Sequence, residues 1–426
     1  MRIEIKDKKQ FTNMFNKLYK NIQINNINGL TIDSRMVQKN DIYLPIIGTN
    51  YDGHEFINTS LESGAIIAFS EKKSHKPNII NTTSVKSEIY TLCYQWYKLS
   101  KSKVIGITGS NGKTTTKNLI HLIMSKKYQC SKTYGNFNST IGLPLSYLST
   151  SLNDEFCILE YGASRPNEIK KLCKIVQPHY SFITNISNAH IENYKSINEI
   201  YKTKIALYEQ THDNGICFIN RDEVTISKNQ IKSKIVEFSI KNKANTDNKI
   251  KINVPNHLSY FKKTIQSIYI ICKTLNIDDK IIDNTLQSFD LPKGRGNIIK
   301  YENYNIIDDS YNANPKSVEF AINRFNKMKN KGKKIFIFAD MLELGNKKNE
   351  EHKAISRLIN KSNIDIILTY GKLSKCTYKN IKKTILSKHY NDIEKLKIEL
   401  HNIVSKNDFV YLKGSRSMKL ERIYKR

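Results

Sequence analysis

Apolar and polar segments alternate along most of the chain, and their periods predict alternating strands and helices. The apolar run "KVIGITG" precedes a segment with helical spacing, and "EFCILEYGA", "NEIKKLCKIVQ" and "HYSFITNIS" read in turn as strand, helix and strand. Alternation of this kind is typical of a parallel sheet covered by helices. The middle of the chain, up to about residue 291, is therefore predicted to form one such unit.

The alternation starts again after the glycine-rich stretch "LPKGRG", which makes Gly294–Gly296 the candidate hinge. Strands are predicted in "YNIIDDS", "KKIFIFAD", "IDIILTY" and "DFVYLKGS", with helices at 316–329 and 350–360. The first 84 residues instead mix short strand-like runs with turn clusters. We therefore expect an α/β protein of three domains: a small mixed α/β domain (1–84), a central P-loop ATPase-like domain with a parallel sheet (85–291) and a Rossmann-like C-terminal domain (292–426).

The formal charge of +30 over 426 residues raises the possibility of a polyanionic partner. The lysines are spread along the chain, however, and arginine, whose bidentate fork suits base and phosphate recognition, is scarce. This distribution favours a general drift of the composition towards lysine, without a binding function, over a nucleic-acid interface. A basic P-loop protein that binds nucleic acid remains the alternative from another class, and it predicts salt-sensitive nucleic-acid affinity.

The seven cysteines are odd in number, far apart and without a CxxC pair. This spacing disfavours both a disulfide framework and a structural zinc site, and it is typical of reduced thiols. The N-terminus lacks an apolar core of signal-peptide length, and no run of about 18 apolar residues occurs. We expect a cytoplasmic protein with no membrane span.

The segment "VIGITGSNGKTTTKNLI" has the order of a phosphate-binding loop: strand, glycine turn, Lys-Thr and helix. It departs from the Walker A pattern, because Ile107 stands where the first glycine belongs and the glycines lie at 106, 109 and 112. Lys113 can still reach the β- and γ-phosphates, and the Thr114 hydroxyl can ligate Mg²⁺. A glycine-rich turn without a ligand is the alternative, and the order of the elements favours phosphate.

Two further polar residues follow predicted strands of the same sheet. Glu160 lies at the end of the strand predicted in "CILEYGA", and His190 lies in "TNISNAHIE". Taken alone, Glu160 is more typical of a solvated carboxylate at a strand end and His190 of a structural histidine. Open α/β sheets bind ligands at the carboxyl ends of their strands. Together with Thr114, these residues predict a Mg²⁺ site that bridges ATP and a second substrate.

Several ordered motifs resemble the Mur ligase family, which builds the cytoplasmic precursor of peptidoglycan. The central motifs are "TGSNGKTTT", "YGNFNSTIGLPLSYL", "LEYGASRPNEI" and "TNISNAHIENYKSINEIYKTKIALYE". The stretch "TIDSRMVQKNDIYLPIIGTNYDGHEFI" is similar to the UDP-sugar-binding domain of the family. Within the family, "IDDSYNANPKSVEFAI", "DMLELG" and "VYLKGSRSMKLERI" are most similar to the member that adds the terminal dipeptide. The likeness covers nearly the whole chain.

The resemblance implies an ATP-dependent ligation. The peptide carboxylate of UDP-N-acetylmuramoyl-tripeptide would attack the γ-phosphate of ATP, and the amine of D-alanyl-D-alanine would then displace phosphate from the acyl phosphate. It implies ATP and two Mg²⁺ ions as cofactors, and we expect a monomer. The related ligase that adds the third amino acid and a folylpolyglutamate synthase remain alternatives, and "DDSYNANP" and "KGSRSM" argue against both.

The resemblance also assigns site residues. The ATP set is Thr108, Gly109, Ser110, Asn111, Gly112, Lys113, Thr114, Thr115, Arg295, Asp309, Tyr311, Asn312 and Asn314. The metal set is Thr114, Glu160, His190 and Lys204, of which Lys204 matches a lysine that the family carbamylates with CO₂, and the catalytic set is Lys113, His190 and Lys204. The substrate set is Ser34, Arg35, Asp52, Gly53 and His54 at the uridine-diphosphate end, Asn138 at the phosphate and sugar side, and Lys413, Ser415 and Arg416 near the dipeptide.

The chain departs from the family pattern in one stretch that would face adenine. The segment "VPNHLSYFKKTI" keeps His257 but has Leu258 and Phe261 where asparagines are typical, so Phe261 becomes the candidate for stacking. Ala339 replaces a usual glycine in "FADMLELG". Residues 220–255 carry no motif that can be aligned with the family.

Overall fold

A computed structural model of the chain describes residues 1–48, 50–188, 191–226, 228–240 and 252–424. In these ranges the chain forms three sheets, each packed against helices. His190, predicted as a metal ligand, lies outside the described residues.

The first sheet is small and mixed. Its strands, in the spatial order in which they pair, are β1 (Arg2–Glu4), β2 (Gly29–Thr31), β3 (Asp41–Tyr43), β4 (Ala65–Ser70) and β5 (Ile79–Asn81). Only β1 runs antiparallel to its neighbour. Helices α1 (Lys8–Leu18) and α2 (Ile57–Glu62) pack on it, and α3 (Val85–Leu99) leads to the next sheet. Trp96 of α3 is fully buried against Phe11 of α1, with ring centroids 5.6 Å apart, which fastens this connecting helix to the first domain.

The second sheet is parallel throughout. Its strands are β6 (Lys103–Thr108), β7 (Cys130–Lys132), β8 (Phe156–Glu160), β9 (Tyr180–Ile183), β10 (Ile216–Asn220) and β11 (Lys234–Phe238), in the spatial order β11-β10-β9-β6-β8-β7. Its helices are α4 (Lys113–Met124), α5 (Gly142–Leu148), α6 (Glu168–Ile175), α7 (Ile197–Glu209), α8 (Lys262–Thr274) and α9 (Asp279–Gln287). Because strand order reverses around β6, the carboxyl ends of β6, β8 and β9 flank the crevice where such sheets bind ligands.

The third sheet combines one antiparallel edge strand with five parallel strands. Its strands are β12 (Asn297–Tyr301), β13 (Tyr304–Asp309), β14 (Lys334–Ala339), β15 (Ile366–Tyr370), β16 (Leu386–Tyr390) and β17 (Phe409–Lys413), in the spatial order β12-β13-β17-β14-β15-β16. Its helices are α10 (Pro315–Lys327), α11 (Lys348–Ile359), α12 (Ser374–Lys379) and α13 (Ile393–Ile403). Strand β14 is buried along its whole length between the two helical layers, as its apolar sequence requires.

The predicted α/β class with three sheets is confirmed. Each sheet lies inside one of the ranges 1–84, 85–291 and 292–426, and the domain limits themselves stay predictions. In the third sheet, strands β12 and β16 were not predicted, because both lie at sheet edges and alternate exposed with half-buried residues. All seven cysteines, each within the described ranges, are free. None of the described helices is long and apolar enough to cross a membrane.

Candidate nucleotide and metal site

The loop from Gly109 to Gly112 joins β6 to α4, and its two glycines serve different needs. Gly109 has φ +146° and Gly112 φ +83°, values that side chains of L-residues rarely adopt. A Cβ on Gly109 would lie 2.0 Å from Thr184 Oγ1, so this position also lacks space for a side chain. A Cβ on Gly112 would have no described atom within 4 Å apart from those of its chain neighbours.

The loop is fastened to the segment that follows β9. Ser110 N–H donates to the Asn185 carbonyl (2.9 Å) and Asn111 N–H to Asn185 Oδ1 (3.1 Å), while the Thr184 hydroxyl donates to the Asn111 carbonyl (2.6 Å). Ser110 Oγ also donates to the Ser187 carbonyl (3.0 Å). These bonds hold the loop in one conformation before any ligand arrives.

The first turn of α4 provides donors for an anion. Thr116 N–H bonds to the Gly112 carbonyl (2.9 Å), whereas the amides of Lys113, Thr114 and Thr115 precede the first possible bond within the helix. Such amides, at the positive end of a helix, bind phosphate in many nucleotide sites. This geometry fits the predicted phosphate cradle.

Two lysine ammonium groups meet at one carbonyl oxygen of the loop. Lys113 Nζ donates to the Gly109 carbonyl at 2.7 Å, and Lys204 Nζ, from α7, approaches the same oxygen at 3.4 Å. The Lys204 side chain is buried, with 3% of its surface exposed. Burial, and secondarily the charge of Lys113, lower the pKa of Lys204 to about 7, and burial lowers the pKa of Lys113 as well. Two cations beside one neutral acceptor favour an anionic ligand.

Glu160, at the end of β8, is fully buried and only partly satisfied. Its Oε2 accepts a hydrogen bond from Asn138 Nδ2 (3.0 Å). Its Oε1 lies 3.5 Å from Lys117 Nζ and, among the described residues, accepts no hydrogen bond. Asn138 is itself fixed, because its carbonyl accepts from Gly162 N–H (2.8 Å). A buried carboxylate oxygen with open lone pairs is suited to a hard cation.

Sequence reasoning missed Lys117. This residue is 2% exposed, and burial lowers its pKa while the neighbouring Glu160 opposes that shift. The available signal was its spacing, since Lys117 follows Lys113 by four residues and therefore lies on the same helix face. Thr184, Asn185 and Ser187, which anchor the loop, were also missed.

Residues of the C-terminal domain reach the loop from the other side. Arg295 Nη2 donates to Thr114 Oγ1 (3.0 Å), and its guanidinium lies 3.8 Å from the centroid of the Tyr311 ring. Asn314 caps α10 through its Oδ1 and donates through Nδ2 to Asn111 Oδ1 (2.7 Å). Three of the residues predicted for ATP thus lie together at the phosphate loop.

The other predicted residues of this domain make their described contacts within the domain itself. Lys413 is 3% exposed, and its Nζ donates to Asp309 Oδ2 (2.8 Å) and to the Asn312 carbonyl (3.0 Å). Ser415 Oγ accepts from Leu342 N–H (2.9 Å) and so holds the "DMLELG" loop. Arg416 is exposed and pairs with Glu421 (2.7 Å). Their substrate roles stay predictions.

The residues predicted for the uridine-diphosphate end make their described contacts inside the first domain. Arg35 is exposed and forms two bonds of 2.8 Å with Asp33. Asp52 bonds to Lys72 (2.9 Å) and to His54 Nδ1 (2.7 Å). His54 is buried and its Nε2 accepts from the backbone N–H of Glu71 (3.1 Å), so this imidazole orients Asp52. Gly53 accepts from the Tyr43 hydroxyl through its carbonyl (2.8 Å), and Ser34 begins the adjacent turn.

The segment expected to face adenine is partly core. Leu258 is fully buried among the apolar residues under the second sheet. Phe261 lies 6.2 Å from the Phe320 ring of α10 and 5.9 Å from the guanidinium of Arg324. Of the two replacements, only Phe261 lies at the contact between the middle and C-terminal domains.

A pre-shaped phosphate loop, a buried carboxylate at the sheet crevice and contacts from a second α/β domain define a nucleotide-binding protein whose site is shared by two domains. Family models match nearly the full length: the "Mur ligase family, catalytic domain" at residues 26–97, the "Mur ligase middle domain" at 107–289 and the "Mur ligase, glutamate ligase domain" at 294–416. The chain belongs to the Mur ligase family, whose members are ATP-dependent ligases.

Individual relatives agree with the family models. The UDP-N-acetylmuramoyl-tripeptide–D-alanyl-D-alanine ligase of Buchnera aphidicola subsp. Baizongia pistaciae is 32% identical, over 93% of this chain and 91% of that protein. The MurF ligase from Thermotoga maritima, solved in complex with ADP, has a TM-score of 0.80 at 26% identity, over 92% and 95% of the two chains. MurF from Acinetobacter baumannii shares the fold, with a TM-score of 0.87 at 22% identity over 97% of both chains.

Proposed function

We propose that the protein joins D-alanyl-D-alanine to the peptide carboxylate of UDP-N-acetylmuramoyl-tripeptide, with ATP as the phosphate donor and an acyl phosphate as intermediate. The observation that carries the proposal is the meeting of Lys113 and Lys204 at the Gly109 carbonyl, beside the open oxygen of Glu160. The name of the relative from Buchnera, at 32% identity over 93% of this chain, supports the same substrates. The product would be the pentapeptide precursor of peptidoglycan, made in the cytoplasm by a monomer.

The phosphate loop would hold ATP through charge and backbone donors. Both first reactants are anions, so the carboxylate approaches the γ-phosphate only where cations offset the repulsion. Lys113 and the amides of the first turn of α4 would bind the phosphates, and Arg295 and Asn314 would bring the C-terminal domain onto the nucleotide. The solved ADP complex of the Thermotoga relative supports nucleotide binding in this fold.

The residues present fit a magnesium ion. Thr114 Oγ1 and Glu160 are hard oxygen donors, and the open Oε1 of Glu160 is the observation that supports the fit. Mg²⁺, when bound, would neutralise charge that develops on the phosphates. His190 and Lys204 remain the proposed ligands of a second ion.

Lys204 is the proposed site of carbamylation. Only an uncharged amine attacks CO₂, and the lowered pKa of Lys204 leaves a share of this amine uncharged near neutral pH. The product is a carbamate anion, formed with loss of one proton, and the neighbouring ammonium of Lys113 would stabilise it. Removal of CO₂ and bicarbonate should reversibly lower the activity of the wild-type protein and leave a Lys204→Met variant unaffected.

The peptide and dipeptide would meet between the domains. Asn138 is proposed to face the sugar and phosphate, Arg35 and Asp52 the uridine diphosphate, and Lys413, Ser415 and Arg416 the dipeptide side. Closure of the C-terminal domain would exclude water, which otherwise hydrolyses an acyl phosphate.

The test is ADP formation by the purified protein with ATP and Mg²⁺ and with acceptors varied one at a time. We expect turnover with UDP-N-acetylmuramoyl-tripeptide only when D-alanyl-D-alanine is also present. Turnover with UDP-N-acetylmuramoyl-dipeptide and a free diamino acid would overturn the proposal in favour of the ligase that adds the third residue. Turnover with a folate and glutamate would favour a folylpolyglutamate synthase.

A further inference from the structure

Lys117 is a buried lysine to which the proposed chemistry gives no role. It lies on α4, one helical turn beyond Lys113, and only 2% of its surface is exposed. Its neighbours Leu119 and Ile120 are core residues, so an apolar side chain would suit the packing of this helix. Because burying an ammonium is costly unless it is paired and hydrogen-bonded, the contacts that offset this cost indicate what the residue does.

The ammonium of Lys117 joins one loop to one carboxylate. Its Nζ donates to the carbonyls of Thr133 and Gly135, each at 3.1 Å, and lies 3.5 Å from Glu160 Oε1. An ammonium has three N–H donors, and the two carbonyls take two of them, while Glu160 is paired by charge. Thr133 and Gly135 belong to the loop that carries Asn138.

Three residues fix the position of Glu160: Thr133, Asn138 and Lys117. The backbone N–H of Glu160 donates to Thr133 Oγ1 (2.7 Å), and Asn138 Nδ2 donates to Oε2 (3.0 Å). The separation of 3.5 Å from Lys117 to Oε1 is an ion pair and too long for a good hydrogen bond. The carboxylate is therefore oriented by charge while the lone pairs of Oε1 stay available.

We infer that Lys117 is a positioning residue that ties Glu160 and the Thr133–Asn138 loop to the helix of the phosphate loop, and that it thereby sets the place of a divalent cation beside the bound phosphates. The inference rests on the proposed role of Glu160 as a metal ligand. The same contacts would also suit a competitor of the cation, that is, a lysine that only neutralises the charge of Glu160. The two roles predict opposite effects, since loss of a positioning residue weakens cation binding and loss of a competitor strengthens it.

The experiment measures Mn²⁺ binding to the complex of the protein with ADP, by electron paramagnetic resonance, so that no turnover is needed. We expect Lys117→Met and Lys117→Gln to weaken Mn²⁺ binding by about 10-fold, as for other outer-shell partners of metal ligands. Lys117→Arg, which keeps charge and donors, should recover part of the affinity. The matched control is Lys127→Met, which removes a lysine that also donates to a carbonyl, that of Asn276 (2.7 Å), just beyond the far end of the same helix.

Each outcome decides between explanations. Unchanged or tighter Mn²⁺ binding in Lys117→Met, or in Lys117→Gln if the methionine variant does not fold, overturns the inference. Glu160→Ala separately tests the proposed role of Glu160 as a metal ligand. If this variant binds Mn²⁺ with unchanged affinity, that role fails. If Glu160→Ala weakens binding and Lys117→Met does not, only the positioning role fails. A lower melting temperature with unchanged Mn²⁺ affinity would assign Lys117 to structure alone.

Discussion

The candidate residues at the two ends of the site are held in different ways. At the phosphate loop, Arg295 bonds to Thr114 and Asn314 to Asn111, which joins residues 181 and 203 positions apart in the sequence. In the first domain, Arg35 bonds to Asp33 only two positions away. Lys204 at the loop is 3% exposed, whereas the Arg35 side chain is 85% exposed. The candidate nucleotide end therefore depends on the assembly of two domains, whereas the candidate uridine end is held by contacts within one domain.

The largest expected effect comes from Lys113→Ala. Loss of the ammonium proposed to bind the phosphates should lower kcat by about 1,000-fold or more, about 4 kcal/mol of transition-state stabilisation. Dipeptide-dependent phosphate release measures the effect, and the melting temperature checks that the fold is intact. Lys126→Ala, an exposed lysine just after α4, is the control. Substantial residual turnover in Lys113→Ala would contradict the assignment of the loop.

Arg295→Met tests whether the domains act together at the nucleotide. The variant removes the bond to Thr114 and the stacking on Tyr311, and we expect kcat to fall by about 10- to 100-fold, the worth of a charge-assisted hydrogen bond of about 1.5–3 kcal/mol. The KM for the UDP-linked substrate should be unchanged. Arg422→Met, which removes an exposed arginine paired with Glu394, is the control. A rise in the KM for the UDP-linked substrate with unchanged kcat would show instead that Arg295 acts at the candidate uridine end.

Arg35→Ala tests the uridine end and should have the opposite signature. Because this exposed side chain is paired locally, we expect only a rise of about 3- to 10-fold in KM for the UDP-linked substrate. Steady-state kinetics should show kcat and the KM for ATP unchanged. Lys39→Ala, an exposed neighbour, should leave all three constants unchanged. A fall in kcat alone would show that Arg35 acts on catalysis.

The last effect leaves activity unchanged and concerns stability at a place remote from both ends. His179, at the amino edge of the second sheet, accepts from Val104 N–H (3.1 Å) and stacks on His212, and burial lowers its pKa to about 4. Because the unfolded chain protonates near pH 6.5 and the folded chain only near 4, its contribution is complete above about 6.5 and is lost as the pH falls toward 4. Urea unfolding should show about 1–2 kcal/mol less stability at pH 5 than at pH 7.5 from this residue.

The variant His179→Asn, which keeps an acceptor for Val104 N–H, should remove that part of the pH dependence. Kinetic constants at neutral pH should stay those of the wild-type protein, because the residue contacts neither end of the site. An equal loss of stability in both proteins between pH 7.5 and 5 would assign the acid sensitivity to other groups.

The local sequence pattern predicted the phosphate loop and Glu160, but it could not predict Lys117 or the bond between Arg295 and Thr114. The loop was predictable because strand, glycine turn, Lys-Thr and helix are contiguous, and Glu160 because a buried strand ends there. Lys117 was not, since helical lysines are mostly solvated and only the fold brings Thr133 and Glu160 beside it. The bond between Arg295 and Thr114 was also beyond local reasoning, because no pattern within either segment encodes the partner. The resemblance to a family placed Arg295 near ATP but did not give its contact.

The two glycines of the loop have different surroundings, which bears on the side from which phosphate would enter the proposed site. On the Gly109 side, the loop lies against Thr184 and leaves no room even for a methyl group. A Cβ placed on Gly112, by contrast, would have no described atom within 4 Å other than those of its own chain neighbours. The loop is thus closed on the Gly109 side and open on the Gly112 side, where α4 begins. An inhibitor built to occupy this loop should therefore extend its anionic group past Gly112, where added bulk meets free space.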